Sequence, residues 1–340
     1  MTPAIFGLSG LTLSADERAF FREADPAGYI VFGRNVESRA QLRALTDQLR
    51  EIHGRPRLLV SIDQEGGRVA RMKPPEWPAW PAGAVFDRLF EIAPASAIEA
   101  ARANAEALGH DLAEVGITCT HAPVLDVRQH GANDVIGDRA YGYEPLRVAA
   151  IGRAVLDGLE RAGVVGTIKH MPGHGRTSVD THKALPTVTA SEAELESDLA
   201  PFKALASAAV GMTGHLVFEA WDPDHPATQS PIVIERIIRQ RIGFDGLLLT
   251  DDLDMEALSG TVPERAERAI SAGCDIALNC WGRMADMAGI AERLPAMGPE
   301  TAVRLERALA VTRLSEGVAP ARDTLLTKRD ALLALAEAQV

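Results

Sequence analysis

The alternation of short apolar runs with longer helical patterns predicts an α/β protein built as a closed (β/α)8 TIM barrel. Three observations carry the expectation. Eight short apolar stretches recur along the 340 residues, helix-period segments lie between them, and a polar residue follows nearly every stretch. Barrels of this kind commonly fill about 250 residues as one domain. The chain, 1–340, is therefore expected to be a single domain, with 301–340 as terminal helices packed on the barrel.

The strands are expected at 4–8, 28–32, 58–62, 118–125, 164–168, 209–213, 246–250 and 275–279. Each is a run of Val, Ile, Leu or Ala of strand length, bounded by polar residues or glycine. Helical periodicity falls at 38–53, 95–115, 146–162, 232–241 and 263–272, and again from 302 to 338, where it suggests one or two terminal helices. The proline-rich stretch 72–81 carries Trp77 and Trp80 and follows a strand end closely, so it reads as a rigid loop over the barrel rim rather than a linker.

Composition excludes several classes. With 46% hydrophobic and 24% charged residues the chain is not disordered, and 5% aromatic residues imply packing led by Leu, Ala, Val and Ile. A net charge of −12 opposes nucleic acid and anionic membrane surfaces, which demand a basic footprint. Cys119, Cys274 and Cys280 are odd in number, widely spaced and set among apolar residues, so they read as buried thiols. The N-terminus lacks a basic start and a long apolar run, and no segment reaches the roughly 18 apolar residues of a membrane span. A cytoplasmic location is expected.

The polar residues converge. Asp63 follows the third strand, Asp126 the fourth, Lys169 and His170 the fifth, His215 the sixth, Asp251 the seventh and Asn279 the eighth. Groups at the carboxyl ends of successive barrel strands point into one mouth, where such barrels keep their chemistry. In the run from Ser61 to Arg71, Gly66 and Gly67 permit a turn, and a carboxylate at Asp63 beside arginine could hold two vicinal hydroxyls. Arg68 reads better as an internal ion-pair partner. Arg139 sits in a loop after the fourth strand and can reach the same mouth, although a solvated arginine is equally compatible with its spacing.

The strand at 246–250 ends in three acids, Asp251, Asp252 and Asp254. Alternation is expected to send Asp251 and Asp252 to opposite sides, so that one enters the mouth; an ionised carboxylate there is a candidate nucleophile for a glycosyl centre. Helix N-capping is the expectation for Asp252 and Asp254. Three of nine histidines, His170, His174 and His182, fall within thirteen positions, which implies proton transfer, metal ligation or polar binding. An Asp180 hydrogen-bonded to His182 would fix the imidazole tautomer and raise its basicity, with Gly173 and Gly175 supplying loop mobility.

Together these stretches resemble the family 3 glycoside hydrolases, and among them the single-domain β-N-acetylhexosaminidases of bacterial cell-wall recycling. The resemblance rests on Asp63-Gln-Glu-Gly-Gly-Arg68 with Arg71, Gly137-Asp-Arg139, Lys169-His-Met-Pro-Gly-His-Gly175, Asp180-Thr-His182 and Thr250-Asp-Asp-Leu-Asp-Met-Glu256, in order over most of residues 1–300. It implies a retaining exo-β-N-acetylglucosaminidase that releases terminal N-acetylglucosamine from peptidoglycan fragments. Asp251 would be the nucleophile, His182 with Asp180 the acid/base, and Asp63, Arg71, Arg139, Lys169 and His170 the binding residues. A small glycan is the implied partner, with no cofactor, no metal, no nucleic acid and no membrane, and with the chain acting as a monomer. Met171 stands where the family more often has an aromatic residue, Thr181 where Ser is common, and Asp254 where a smaller polar residue is usual.

Three other readings compete. A metal-dependent barrel hydrolase would use His170, His174, His182 and Asp251, but the first strand lacks its usual pair of histidines. A sugar-binding protein without catalysis has little use for an Asp-x-His pair beside a strand-end aspartate. A family 3 β-glucosidase or β-xylosidase would generally carry an extra C-terminal domain and lack that pair.

Overall fold

The computed structural model describes residues 1–132, 134–177, 185–313 and 321–337. Ten strands run along the described chain: β1 (Thr2–Gly7), β2 (Pro26–Val31), β3 (Leu59–Ile62), β4 (Cys119–Thr120), β5 (Val165–Met171), β6 (Thr187–Val188), β7 (Val210–Thr213), β8 (Val217–Phe218), β9 (Leu247–Leu249) and β10 (Ala277–Asn279). Eight of them form one parallel sheet in the order β10-β1-β2-β3-β4-β5-β7-β9. A parallel bridge between Leu249 and Ile276, with Thr250 N donating to Ile276 O at 3.0 Å, joins β9 to β10 and closes the barrel. The expected TIM barrel is therefore present, and β6 and β8 form a small parallel pair beside it.

Strand alternation divides the core into two layers. Ile5, Ile30, Leu59, Cys119, Val165, Val210, Leu247 and Leu249 pack together as the barrel interior. Their neighbours Phe6, Tyr29, Val31, Val60, Ile168 and Leu248 join the larger layer beneath the helices. All three cysteines are free and buried, as their apolar settings implied.

Helices form where apolar spacing and end signals agree. In Arg39–His53, Ser38 accepts from Gln41 N at the start, Leu42, Leu45 and Leu49 are buried, and Gly54 at φ 60° ends the helix. Pro94–Glu114, Pro145–Arg161 and Val262–Ala272 lie close to their expected spans, while Val233–Ile242 winds as a π-helix. Helices at Ala15–Ala24, Gly83–Ile92, Glu192–Ala204 and Met284–Arg293 were not among those expected. At the carboxyl end, Pro299–Leu309 and Ala321–Glu337 are helical, and Arg329 ties the second to Pro94–Glu114 through Asn104 Oδ1 at 3.1 Å. Arg329 also lies over Trp80 at 5.7 Å, so the proline-rich loop is pinned under a terminal helix with both tryptophans buried.

Two strands differ from expectation in ways that shape the mouth. The fourth pairs only over Cys119–Thr120, because Pro123 has no N–H for a ladder; a single bridge returns between Val124 and Lys169. The fifth runs on to Met171, which places Lys169 and His170 on the strand itself.

Candidate active site

The carboxyl ends of the barrel strands surround a cavity of about 160 Å³ whose lining includes Asp63, Glu65, Arg71, Arg139, Lys169, His170, His174, Asp251 and Asp252. On one side lies a largely buried chain of alternating charge. Lys169 Nζ is 2.6 Å from Glu65 Oε1 and 3.4 Å from Asp63 Oδ1, and Asp63 Oδ2 is 3.1 Å from Arg71 Nη2. Arg139 binds Glu65 through both edges of its fork, Nε to Oε2 at 2.8 Å and Nη2 to Oε1 at 2.7 Å. Burial alone would push these carboxyls up; Lys169, His121 and Arg71 hold Asp63 far below its ordinary range, and Arg139 with Lys169 hold Glu65 at about 2.

The loop carrying these groups is fixed from within. Gln64 Oε1 accepts from Arg71 N at 2.7 Å and Met72 N at 3.0 Å, while its Nε2 donates to Met72 O at 2.9 Å. Arg71 lies over the Phe32 ring at 4.9 Å. Arg68 is ion-paired, as expected, with Asp138 at 3.1 Å and donates to the carbonyls of Val135 and Ile136, but the pair lies on the surface rather than inside.

Beside this charge chain, after β4, fully buried Asp126 organises two histidines. Its Oδ1 accepts from His170 N at 3.1 Å and His174 N at 2.7 Å, and its Oδ2 meets His170 Nδ1 at 2.7 Å. The His174 ring meets His170 edge-on at 5.5 Å and lines the cavity. Burial lowers His174 to about 4, which keeps it neutral. Gly175 has no room for a side chain, since a Cβ there would lie 1.8 Å from Val127 O.

Asp251 stands apart from the ion-paired acids. Asp63, Glu65 and Asp126 are all ion-paired, whereas Asp251 has no cation within ion-pair distance among the described residues and accepts from Asp252 N at 2.8 Å. Burial raises its carboxyl, but His170, His215 and the Asp252 amide outweigh this and leave it below its ordinary value. Burial and Asp254 push Asp252 well above that range. Two adjacent carboxyls are thus pushed in opposite directions, the arrangement by which active sites assign separate roles to like groups.

Two expectations about this segment are corrected. Asp251 and Asp252 both line the cavity, because β9 ends at Leu249 and strand alternation no longer governs them. Neither Asp252 nor Asp254 caps a helix: the next one starts at Val262 with Thr261 as its cap. Arg139, equally readable as a solvated side chain, is buried against Glu65. Asp63, Arg71, Arg139, Lys169, His170 and Asp251 come together around one cavity, while Asp180 and His182 lie outside the described residues.

Sequence reasoning singled out neither Glu65 nor Gln64. Glu65 stands two residues after Asp63, a spacing that puts both on one side of an extended segment, and that was its available signal. Asp126 was legible only as a strand-end acid. His121, buried beneath the charge chain with Nδ1 3.3 Å from Thr167 Oγ1, carries no distinguishing pattern.

A closed barrel whose mouth holds ion-paired cations and acids beside a carboxylate, Asp251, with no ion-pair partner among the described residues defines an enzyme for a small polyhydroxylated substrate. The chain belongs to glycosyl hydrolase family 3: residues 8–313 match that family's N-terminal domain. It is 37% identical over 310 residues to a β-hexosaminidase of Alkalilimnicola ehrlichii, covering 90% of this chain and 88% of the relative. A β-hexosaminidase of Thioalkalivibrio sulfidiphilus is 38% identical over 284 residues, covering 82% and 80%. Among solved structures, NagZ from Neisseria gonorrhoeae in complex with N-trifluoroacetyl-D-glucosamine superposes with a TM-score of 0.88 at 30% identity over 98% of both chains. A family 3 β-N-acetylglucosaminidase from Paenibacillus sp. FPU-7 gives 0.85 at 32% identity over 97% of this chain and 66% of that one.

Proposed function

We propose that this chain is a retaining exo-β-N-acetylglucosaminidase in which Asp251 attacks the anomeric carbon. The observation that carries the reading is the isolation of Asp251: it is the ionised acid at the mouth with no ion-pair partner among the described residues, so its electrons are available to an electrophile. Asp63, Arg71, Lys169 and His170 line the same cavity and bind the sugar hydroxyls, with Arg139 holding the far end of the charge chain through Glu65. A volume of about 160 Å³ admits about five waters, the scale of one sugar ring, which favours removal of a single terminal residue.

Glycosylation forms the bond between Asp251 and the anomeric carbon as the glycosidic bond breaks, and His182, oriented by Asp180, gives its proton to the departing oxygen. The same histidine then takes a proton from water, which attacks the glycosyl-enzyme and releases the sugar and Asp251. The β-hexosaminidase and N-acetylglucosaminidase relatives support the choice of sugar. The finer reading is that the substrates are peptidoglycan-derived fragments such as N-acetylglucosaminyl-anhydromuramyl peptides, hydrolysed in the cytoplasm by a monomer. No described helix is long and apolar enough to cross a membrane.

The testing experiment compares an aryl N-acetylglucosaminide, an aryl glucoside and an aryl N-acetylgalactosaminide with wild-type protein and Asp251→Asn. Turnover of the first, at least tenfold above the glucoside and lost in the variant, is expected. Preference for the glucoside would move the chain to the β-glucosidase reading, and full activity in Asp251→Asn would end the nucleophile assignment.

A further inference from the structure

The two acids that follow Asp251 are without a cation. Neither Asp252 nor Asp254 has an ion-pair partner among the described residues, and the nearby guanidinium groups are spent on carbonyls: Arg34 on Leu8 O at 2.7 Å and Cys280 O, and Arg265 on Leu253 O at 2.8 Å and Met255 O at 3.0 Å. The acids instead hold the loop that leaves β10. Asp254 Oδ2 accepts from Asn279 Nδ2 at 2.7 Å, Cys280 N at 3.1 Å and Trp281 N at 3.3 Å, while Asp252 Oδ1 accepts from Asp254 N at 3.1 Å and Cys280 N at 3.3 Å. One buried oxygen of the two acids is left over. Asp254 Oδ1 is buried with no donor, a state that costs free energy unless a proton fills it.

We propose that Asp252 and Asp254 share one proton and act as a positioning pair, with the Asp252 carboxyl donating to Asp254 Oδ1 and clamping the loop after β9 to the loop after β10 beside Asp251. Asp254 N donates to Asp252 Oδ1 at 3.1 Å, which holds the two carboxyls side by side, and burial together with the Asp254 charge favours the protonated form of Asp252. The shared proton removes one of three adjacent negative charges, so that Asp251 can remain ionised. The groups facing the pair are Asp251 on the same loop, Cys280 just after β10, Arg34 after β2, Arg265 from the helix Val262–Ala272, and His215, whose Nε2 is 2.9 Å from Asp252 O.

The proposal deepens the assignment of Asp251, and only its kinetic arm rests on that assignment. The test uses Asp252→Asn and Asp252→Ala in the full chain. An asparagine amide can donate to Asp254 Oδ1 where the carboxyl did; alanine cannot. Thermal melting from pH 5 to pH 8 supplies the first readout. The folded wild type keeps a proton that the unfolded chain releases above about pH 4, so wild-type stability falls as pH rises toward the folded value, a fall absent in Asp252→Asn. The melting temperature of Asp252→Asn relative to wild type should therefore climb by about 2–4 °C per pH unit. A difference that stays flat over this range would overturn the shared proton.

The second readout is hydrolysis of an aryl N-acetylglucosaminide. Asp252→Ala should lose at least about tenfold in kcat with little change in KM, the mark of a misplaced nucleophile, and Asp252→Asn should recover most of it. Equal losses in both variants would overturn the positioning role. A wild type that hydrolyses no N-acetylglucosaminide would instead refute the proposed function, while the melting curves would still judge the pair.

Discussion

Replacing Glu65 by Gln tests the buried charge chain that orders the sugar side of the mouth. Glu65 accepts two bonds from Arg139, at 2.8 and 2.7 Å, and lies 2.6 Å from Lys169 Nζ. The neutral amide keeps the shape but leaves two buried cations facing Asp63 alone, with Lys169 at 3.4 Å from it. A carboxyl held at about 2 in the folded protein, against about 4.3 in the unfolded chain, corresponds to about 3 kcal/mol of stability at neutral pH. That agrees in scale with the roughly 3–5 kcal/mol lost when one partner of a buried pair is removed.

Because the folded value is depressed, this contribution is present above the unfolded pKa and is lost as pH falls from about 4.3 toward 2. Thermal melting at pH 7 should place Glu65→Gln about 5 °C or more below wild type, with the gap narrowing at low pH. KM for an aryl N-acetylglucosaminide should rise as Lys169 and Arg139 shift. A melting temperature within 1 °C of wild type at pH 7, together with an unchanged KM, would refute the reasoning.

Two further outcomes are expected. His182→Ala should slow hydrolysis far more for a disaccharide than for a nitrophenyl glycoside, because a nitrophenolate departs without protonation and a sugar alkoxide does not; equal losses in kcat/KM on the two substrates would contradict the acid role. Gly175→Ala should destabilise the protein by about 3 kcal/mol or more, since the new Cβ would sit 1.8 Å from the Val127 carbonyl and backbone gives way poorly; a denaturant midpoint equal to wild type would contradict that packing.

The barrel was legible in the sequence because its strands are uniformly apolar and end in polar groups, a pattern that local chemistry writes directly into the chain. Asp63, Lys169, His170 and Asp251 were found that way. Glu65 was not, because its meaning lies in Arg139 and Lys169, 74 and 104 residues away, whose approach no local pattern encodes. The fourth strand was expected too long because an apolar run reads as a ladder even where Pro123 breaks it. Asp252 and Asp254 were read as helix caps because acids after a strand commonly precede a helix; here the chain takes ten further residues to reach Val262 from Asp252, and the acids bind the neighbouring loop instead.

The central claim, that Asp251 forms a covalent bond to the sugar, is tested most directly by mass spectrometry of the protein quenched during turnover of a slow, activated N-acetylglucosaminide. A mass gain of one N-acetylglucosaminyl unit, mapped to the peptide at Asp251 and absent in Asp251→Asn, is the predicted result. An adduct on Asp252, or on any residue other than Asp251, would contradict it.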